Sequence, residues 1–187
     1  MRDFDDSRTA PDAIVPVVGY RLWEVRGDKL CSLWLSAILW TPQQKIRADC
    51  YEPQGTFAST VLGRDCPLHA APDPHCRCGI YATSDPEHLP RSWSGTKQVV
   101  VCGAVGLWGR VVVGERGWRG EFARPLVLSY EEPWGLYGKL AVSDQDWRRF
   151  LIAAVARSYG LPVLPGILDA HAAAREVLRN PGISRAA

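Results

Sequence analysis

The run Gln98-Val-Val-Val-Cys102-Gly-Ala-Val-Gly106-Leu-Trp108-Gly-Arg110-Val-Val-Val113 carries the strongest strand signal in the chain. β-Branched residues dominate it, as they do on half-buried pleated surfaces. Drawn as one straight strand, at about 3.3 Å per residue, it would reach roughly 50 Å. That is too long for a domain of 187 residues, so Gly103, Gly106 and Gly109 are expected to mark a bend or bulge. Val99, Val101, Val105, Leu107, Val111 and Val113 share one apolar face, and Cys102, Trp108 and Arg110 lie on the other.

Downstream, Gly114-Glu-Arg-Gly117 turns the chain, and Trp118 to Leu128 returns antiparallel as the second arm of a hairpin. Ser143-Asp-Gln-Asp146 then resembles a capping box with acids in the first helical turn. Trp147, Phe150, Leu151, Ala154 and Val155 recur at helical spacing until Gly160 stops the helix. A second helix over 167–179 places Ile167, Leu168, His171, Ala174 and Leu178 on one stripe.

Upstream, the β-branched and aromatic run from Val17 to Val25, the turn 26–29 and the run from Leu30 to Trp40 predict another hairpin. Residues 45–51 alternate weakly and predict a third strand ending near Cys50. Gly79-Ile-Tyr-Ala82 is read as the start of one or two helical turns, and 84–96 as loop. Strands come first and helices last. The expected class is α+β: a strongly bent antiparallel sheet or small barrel with two C-terminal helices. Residues 1–13 are expected to be a mobile lead-in to one domain over 14–187, β-rich over 14–130 and helical over 143–180.

Composition narrows the functional classes. Hydrophobic residues make up 47% and charged residues 22%, which argues against wholesale disorder. The net charge of +2 supplies no global field that would demand nucleic acid or anionic lipid. Arginine outnumbers lysine 18 to 4, a bias that suits phosphate contacts but that a GC-rich genome also produces. No apolar run approaches the roughly 20 residues that cross a bilayer, and the acidic N-terminus does not resemble a secretory signal. A cytoplasmic protein without membrane contact is expected. In that compartment six cysteines read as metal ligands and buried thiols rather than as disulfides.

Between Cys66 and Gly79 the chain packs Cys66, His69, His75, Cys76 and Cys78 into a proline-rich loop with little apolar content. Such a loop cannot be held by burial, and a metal ion is the economical alternative. Zinc takes four tetrahedral nitrogen or sulfur ligands. The favoured set is Cys50 with His69, Cys76 and Cys78, a staple that closes about 28 residues. Cys66 rivals Cys50, and His75 rivals His69, although His75 directly precedes Cys76 and the two would ligate together awkwardly. Buried free cysteines in the loop and a Cys50–Cys66 disulfide are the other possibilities, and Cys31 and Cys102 read as core thiols. Four protein ligands make a closed, structural zinc site with no open position for water. Zinc-deaminase, zincin, P-loop, Rossmann and nucleophile-elbow motifs are all absent from the sequence.

A second constellation lies on the strands. Trp108, Arg110, Trp118, Arg119 and Glu121 fall within one hairpin, and Tyr20, Arg21 and Trp23 within the other. Interleaved aromatic and arginine side chains on a curved sheet are the parts of a base-stacking platform. They are also the parts of a barrel core in which tryptophans fill the interior while Arg and Glu pair across strands.

Gly19-Tyr-Arg-Leu-Trp23, Cys50, His69-Ala-Ala-Pro72, Cys76-Arg-Cys-Gly-Ile-Tyr-Ala82, Val105-Gly-Leu-Trp-Gly-Arg110 and Gly117-Trp-Arg-Gly-Glu-Phe122 together resemble a group of small uncharacterised proteins of actinobacteria and their phages. The resemblance covers residues 17–129 and part of the C-terminal helix. It supports Cys50, His69, Cys76 and Cys78 as the ligand set and implies no activity. In overall order the chain is also similar to PUA-like barrels, which bind RNA or modified bases; no motif carries that likeness, which is one of fold alone.

These readings lead to a zinc-stabilised, non-enzymatic module that recognises nucleic acid or a protein partner through a Trp/Arg-lined face. One alternative is a hydrolase or transferase acting on a nucleotide-like ligand, with Arg119 as charge clamp and Glu121 as acid/base. The other is an assembly protein docking through Trp134, Tyr137 and the C-terminal helix. The sequence does not indicate an oligomeric state.

Overall fold

The computed structural model describes residues 9–33, 38–50, 69–89, 99–131 and 142–179. Ten elements follow in order: β1 (Thr9–Arg26), β2 (Lys29–Ser32), β3 (Leu39–Trp40), β4 (Ile46–Arg47), β5 (Ile80–Thr83), β6 (Val99–Gly114), β7 (Gly117–Ser129), α1 (Val142–Tyr159), β8 (Val163–Leu164) and α2 (Ala170–Arg179). The class is α+β, with a bent sheet and two helices.

The long strands β1, β6 and β7 form the spine. β6 pairs antiparallel with β1 on one side (Val25↔Val99 to Val17↔Leu107) and with β7 on the other (Gly114↔Gly117 to Cys102↔Ser129). β5 joins their far sides, pairing with β7 from Ile80↔Gly120 to Thr83↔Gly117 and with β1 at Tyr20↔Thr83. The ladders therefore run in a closed circuit, β1–β6–β7–β5–β1. Closure demands close backbone approach. A Cβ on Gly117 would stand 2.1 Å from the Ala82 carbonyl oxygen. The remaining strands are short: β2 extends β1, β3 extends β2, and β4 and β8 pair with β7.

The bend expected in β6 is present. Its register with β7 shifts between Trp108 and Val111, where Gly109 takes φ 73°, a conformation that favours glycine. The shift changes the alternation: before it Leu107 is buried, and beyond it both Val111 and Val112 are buried while Val113 is exposed. Up to Leu107 both faces are covered. Val101, Val105 and Leu107 pack with Trp23, Trp40 and the α1 residues Ile152, Val155 and Ala156. Val100, Cys102 and Ala104 pack with Val18, Leu22 and the α2 residues Ala170, Ala174 and Val177. Each helix thus covers its own side of the strand.

Five expectations are corrected. The lead-in does not extend to residue 13: β1 starts at Thr9, because the long β6 gives Thr9, Ala10 and Ala13 partners, with register shifts beside Pro11 and Pro16, which lack the N–H a ladder needs. The run 30–40 is not one strand, since β3 folds back on β2 with Leu30↔Trp40. Residues 80–83 are a strand, not helical turns, held between β7 and β1; helix appears only as a single 3₁₀ turn at Pro86–His88. In α1 the buried stripe is Arg148, Ile152, Val155, Ala156 and Tyr159, leaving Trp147 and Phe150 exposed and stacked on each other at 5.5 Å. Arg148 tolerates burial because its guanidinium donates to the carbonyls of Val100, Tyr130 and Glu131. In α2 the stripe is Ala170, Ala174 and Val177, and Leu168 is exposed. Trp134 and Tyr137 lie outside the described residues.

Candidate metal centre

Cys50 is positioned by β4. Ile46 and Arg47 pair with Ala123 and Phe122, and the Ala48 amide donates to the Glu121 carbonyl at 2.7 Å. Three residues on from the ladder, the Cys50 thiol faces the loop 69–79. That loop turns tightly on itself. The Asp73 carboxylate accepts from the His75 amide at 2.8 Å, and the Asp73 carbonyl accepts from the Cys76 amide at 3.1 Å. Ala71 and Pro72 are buried beneath it. Gly79 then swings into β5 with φ 121°, where a Cβ would meet Arg119 and Pro72 at 3.0 Å.

These constraints bring Cys50, His69, Cys76 and Cys78 together. One ligand atom from each lies within 4.8 Å of all the others, a grouping that could hold a metal ion. Cys50 Sγ is 3.5 Å from His69 Nε2 and 3.9 Å from Cys76 Sγ, and Cys78 Sγ is 4.0 Å from His69 Nδ1. All four residues are half-buried and none of the three thiols is in a disulfide. Burial pushes the Cys78 thiol up from its ordinary range, so a bound cation would have to displace a proton there. The rival His75 is exposed and is not part of the group. The rival Cys66 lies outside the described residues.

Two arginines of the β6–β7 hairpin grip the same loop. Arg119 Nη1 donates to the carbonyls of Asp73 at 3.2 Å, Cys78 at 3.0 Å and Cys76. Arg110 Nη1 donates to those of Ala70 at 3.2 Å and Pro72 at 3.4 Å. This role went unread in the sequence. It depends on the pairing of β7 with β5 across about 40 residues of chain, and no local spacing reports that.

The Trp/Arg surface is divided by the structure. Trp23 is fully buried, edge-on to Trp40 at 5.5 Å, and Tyr20 is buried beside His171, so neither belongs to a binding face. Both point into cores because β1 is covered on both sides. Arg21 turns inward, its guanidinium 5.1 Å over the Trp40 ring and donating to Ser32 Oγ and the Tyr81 carbonyl. Burial pulls its pKa down to about 10. Trp118 is half-buried against the α1-side core. Arg119 works for the loop, and Glu121 spans Arg47 Nη2 at 3.4 Å and the Arg110 amide at 3.4 Å.

Trp108 and Arg110 remain on the outside, with neighbours absent from the sequence reading. Trp108 stacks on Phe122 at 6.1 Å, Lys45 Nζ sits 4.3 Å over the Phe122 ring, and the Arg47 guanidinium lies 5.8 Å from it. Among the described residues, Tyr130, Glu131, Gln145, Arg148, Arg149 and Pro165 border an open cleft of about 490 Å³, and Glu121 is not one of them. No described helix is long and apolar enough to cross a membrane. No family model, no curated protein and no solved structure matches the chain.

Proposed function

We propose that this chain is a zinc-stapled, non-enzymatic binding module. Its metal would tie the loop 69–79 to β4, and its partner, nucleic acid or protein, would meet the outer face of the β6–β7 hairpin. The observation that carries the reading is the four-ligand cluster. Tetrahedral zinc with Zn–S of about 2.3 Å and Zn–N of about 2.0 Å separates neighbouring sulfurs by about 3.8 Å and sulfur from nitrogen by about 3.5 Å. The Cys50–Cys76 and Cys50–His69 separations of 3.9 and 3.5 Å fit those spacings. Three thiolates and a neutral imidazole would leave zinc with an excess negative charge, and the Arg119 and Arg110 guanidiniums beside the loop offset it.

All four coordination positions filled by protein is the arrangement of a structural site. Zinc would therefore act on the fold: it would hold the loop, and with it β4 and the closed strand circuit, which we take to behave as a small barrel. A reducing cytoplasm would keep the thiols available for the metal.

The test is native mass spectrometry with elemental analysis of the wild type, Cys50→Ser and Cys66→Ser. One zinc per chain, lost with Cys50→Ser and kept with Cys66→Ser, is expected. A wild type free of metal after purification without chelator, and unable to take up added zinc, overturns the proposal.

A further inference from the structure

We propose that the row of side chains across β4, β7 and β6 is a binding site for single-stranded nucleic acid. The inference rests on the binding-module reading and names its partner. Arg47↔Phe122 and Phe122↔Trp108 are directly opposed pairs in the two ladders, so the three side chains share one face of the sheet. Strands about 4.8 Å apart place them over about 10 Å. Trp108 and Phe122 are half-buried and stacked, which fixes the indole as a rigid platform. Lys45, Arg47, Arg110 and Arg124 are exposed. Among the described residues, the acid in contact with this group is Glu121, and Arg47 offsets its charge. A chain with a net charge of only +2 thus sets Lys45 and Arg47 on the Phe122 ring, with Arg124 exposed on the same strand and Arg110, whose Nη1 also donates to the Ala70 and Pro72 carbonyls, exposed two residues from Trp108.

The chemistry favours a strand with free bases. Exposed cations suit phosphates, and an aromatic face suits an unpaired base, whose π-face is accessible only when unstacked from its neighbours. A duplex would engage the cations and ignore Trp108. A protein partner fits less well, since interface centres are depleted of lysine and here Lys45 caps the Phe122 ring. The stacked and exposed Trp147–Phe150 pair on α1 has the character of a protein contact, but nothing in the structure shows what covers it.

The experiment uses the full zinc-loaded chain and fluorescein-labelled 15-nucleotide probes: oligo-dT, oligo-U, a mixed single strand and the matching duplex. Fluorescence anisotropy is followed from 50 to 200 mM salt, with polyglutamate as competitor. Single strands are expected to bind with a log–log salt slope of about −2 to −3, at about 0.7 per phosphate neutralised. Trp108→Ala should weaken that binding about tenfold with little change of slope, and Trp108→Phe should restore most of it. Lys45→Gln combined with Arg47→Gln should flatten the slope by about 1.4. Zinc content and circular dichroism of each variant establish that it is folded. The proposal is overturned if the zinc-loaded wild type binds no single strand, if the duplex or polyglutamate binds equally well, or if Trp108→Ala binds as the wild type does. A zinc-loaded protein that fails here overturns this inference alone; a chain that takes up no zinc overturns the module reading beneath it.

Discussion

Arg119→Met tests how the loop 69–79 is held. The methionine keeps much of the aliphatic stem and removes a guanidinium whose Nη1 donates to the carbonyls of Asp73, Cys76 and Cys78. One nitrogen carries two hydrogens, so the three acceptors share at most two full bonds. Bonds from a charged donor contribute about 1.5–3 kcal/mol each, and the half-buried setting argues for the low end, about 3 kcal/mol in all. For a chain of this size that corresponds to a fall in Tm of about 6–12 °C. The assay is thermal unfolding by circular dichroism with zinc present and again with excess chelator. With zinc, the full difference is expected. With chelator, the loop loses its anchor, its carbonyls turn to water in both proteins, and the melting temperatures should converge to within about 2 °C. A difference that persists undiminished under chelator refutes the reasoning, because Arg119 would then act through the sheet or the Tyr81 ring beneath it.

Further expectations concern the core. Gly103→Ala places a Cβ 2.1 Å from the Val127 carbonyl oxygen, and separating two paired strands should cost at least about 3 kcal/mol in urea unfolding. Tyr159→Phe removes the hydroxyl that accepts from the Leu30 amide at 3.0 Å and donates to the Trp40 carbonyl; two buried groups left unsatisfied should cost about 2–4 kcal/mol. Burial holds the Cys102 thiol up at about 12 against an ordinary 9.0. The unfolded thiol ionises first, so stability is full below pH 9 and is lost as pH rises toward 12. Wild type should lose about 1.4 kcal/mol more than Cys102→Ala between pH 8 and pH 10. Iodoacetamide at pH 8 should leave Cys31 and Cys102 unmodified in the folded protein, and should label Cys50, Cys76 and Cys78 only after chelation.

Much of this was legible in the residues, for reasons specific to each place. The Cys/His cluster that could hold a metal was legible because donor chemistry is largely local: few other uses suit two cysteines and a histidine in a loop too polar to bury itself. The hairpins could be read because turn glycines and β-branched runs signal within a few residues, and Gly109 does sit at a bend. The α1 face was misread because Arg148 occupies the buried stripe, and its burial depends on carbonyls of Val100 and Tyr130 that no helical period can announce. The assignment of Ile80–Thr83 failed similarly. Four residues carry too little pattern, and their state is decided by β7 and β1 on either side. Trp23 and Trp108 differ only in what covers them: one lies under α1 and Trp40, the other is half-covered by Phe122 at the bend of β6.

The circuit of ladders also bears on the order in which the chain can fold. The β1–β6 ladder joins residues such as Trp23 and Val101, about 80 positions apart, a separation that makes a strand pairing slow. During synthesis β1 emerges long before its partner and must wait with its apolar residues uncovered. The segment in between carries Cys50 and Cys78. A cation captured there would draw β4 and β5 together before β6 and β7 exist, shortening the effective loop that the later pairing has to close. Metal supply would then govern how fast newly made chains reach the native state, and refolding from denaturant should be measurably slower in chelator than in zinc.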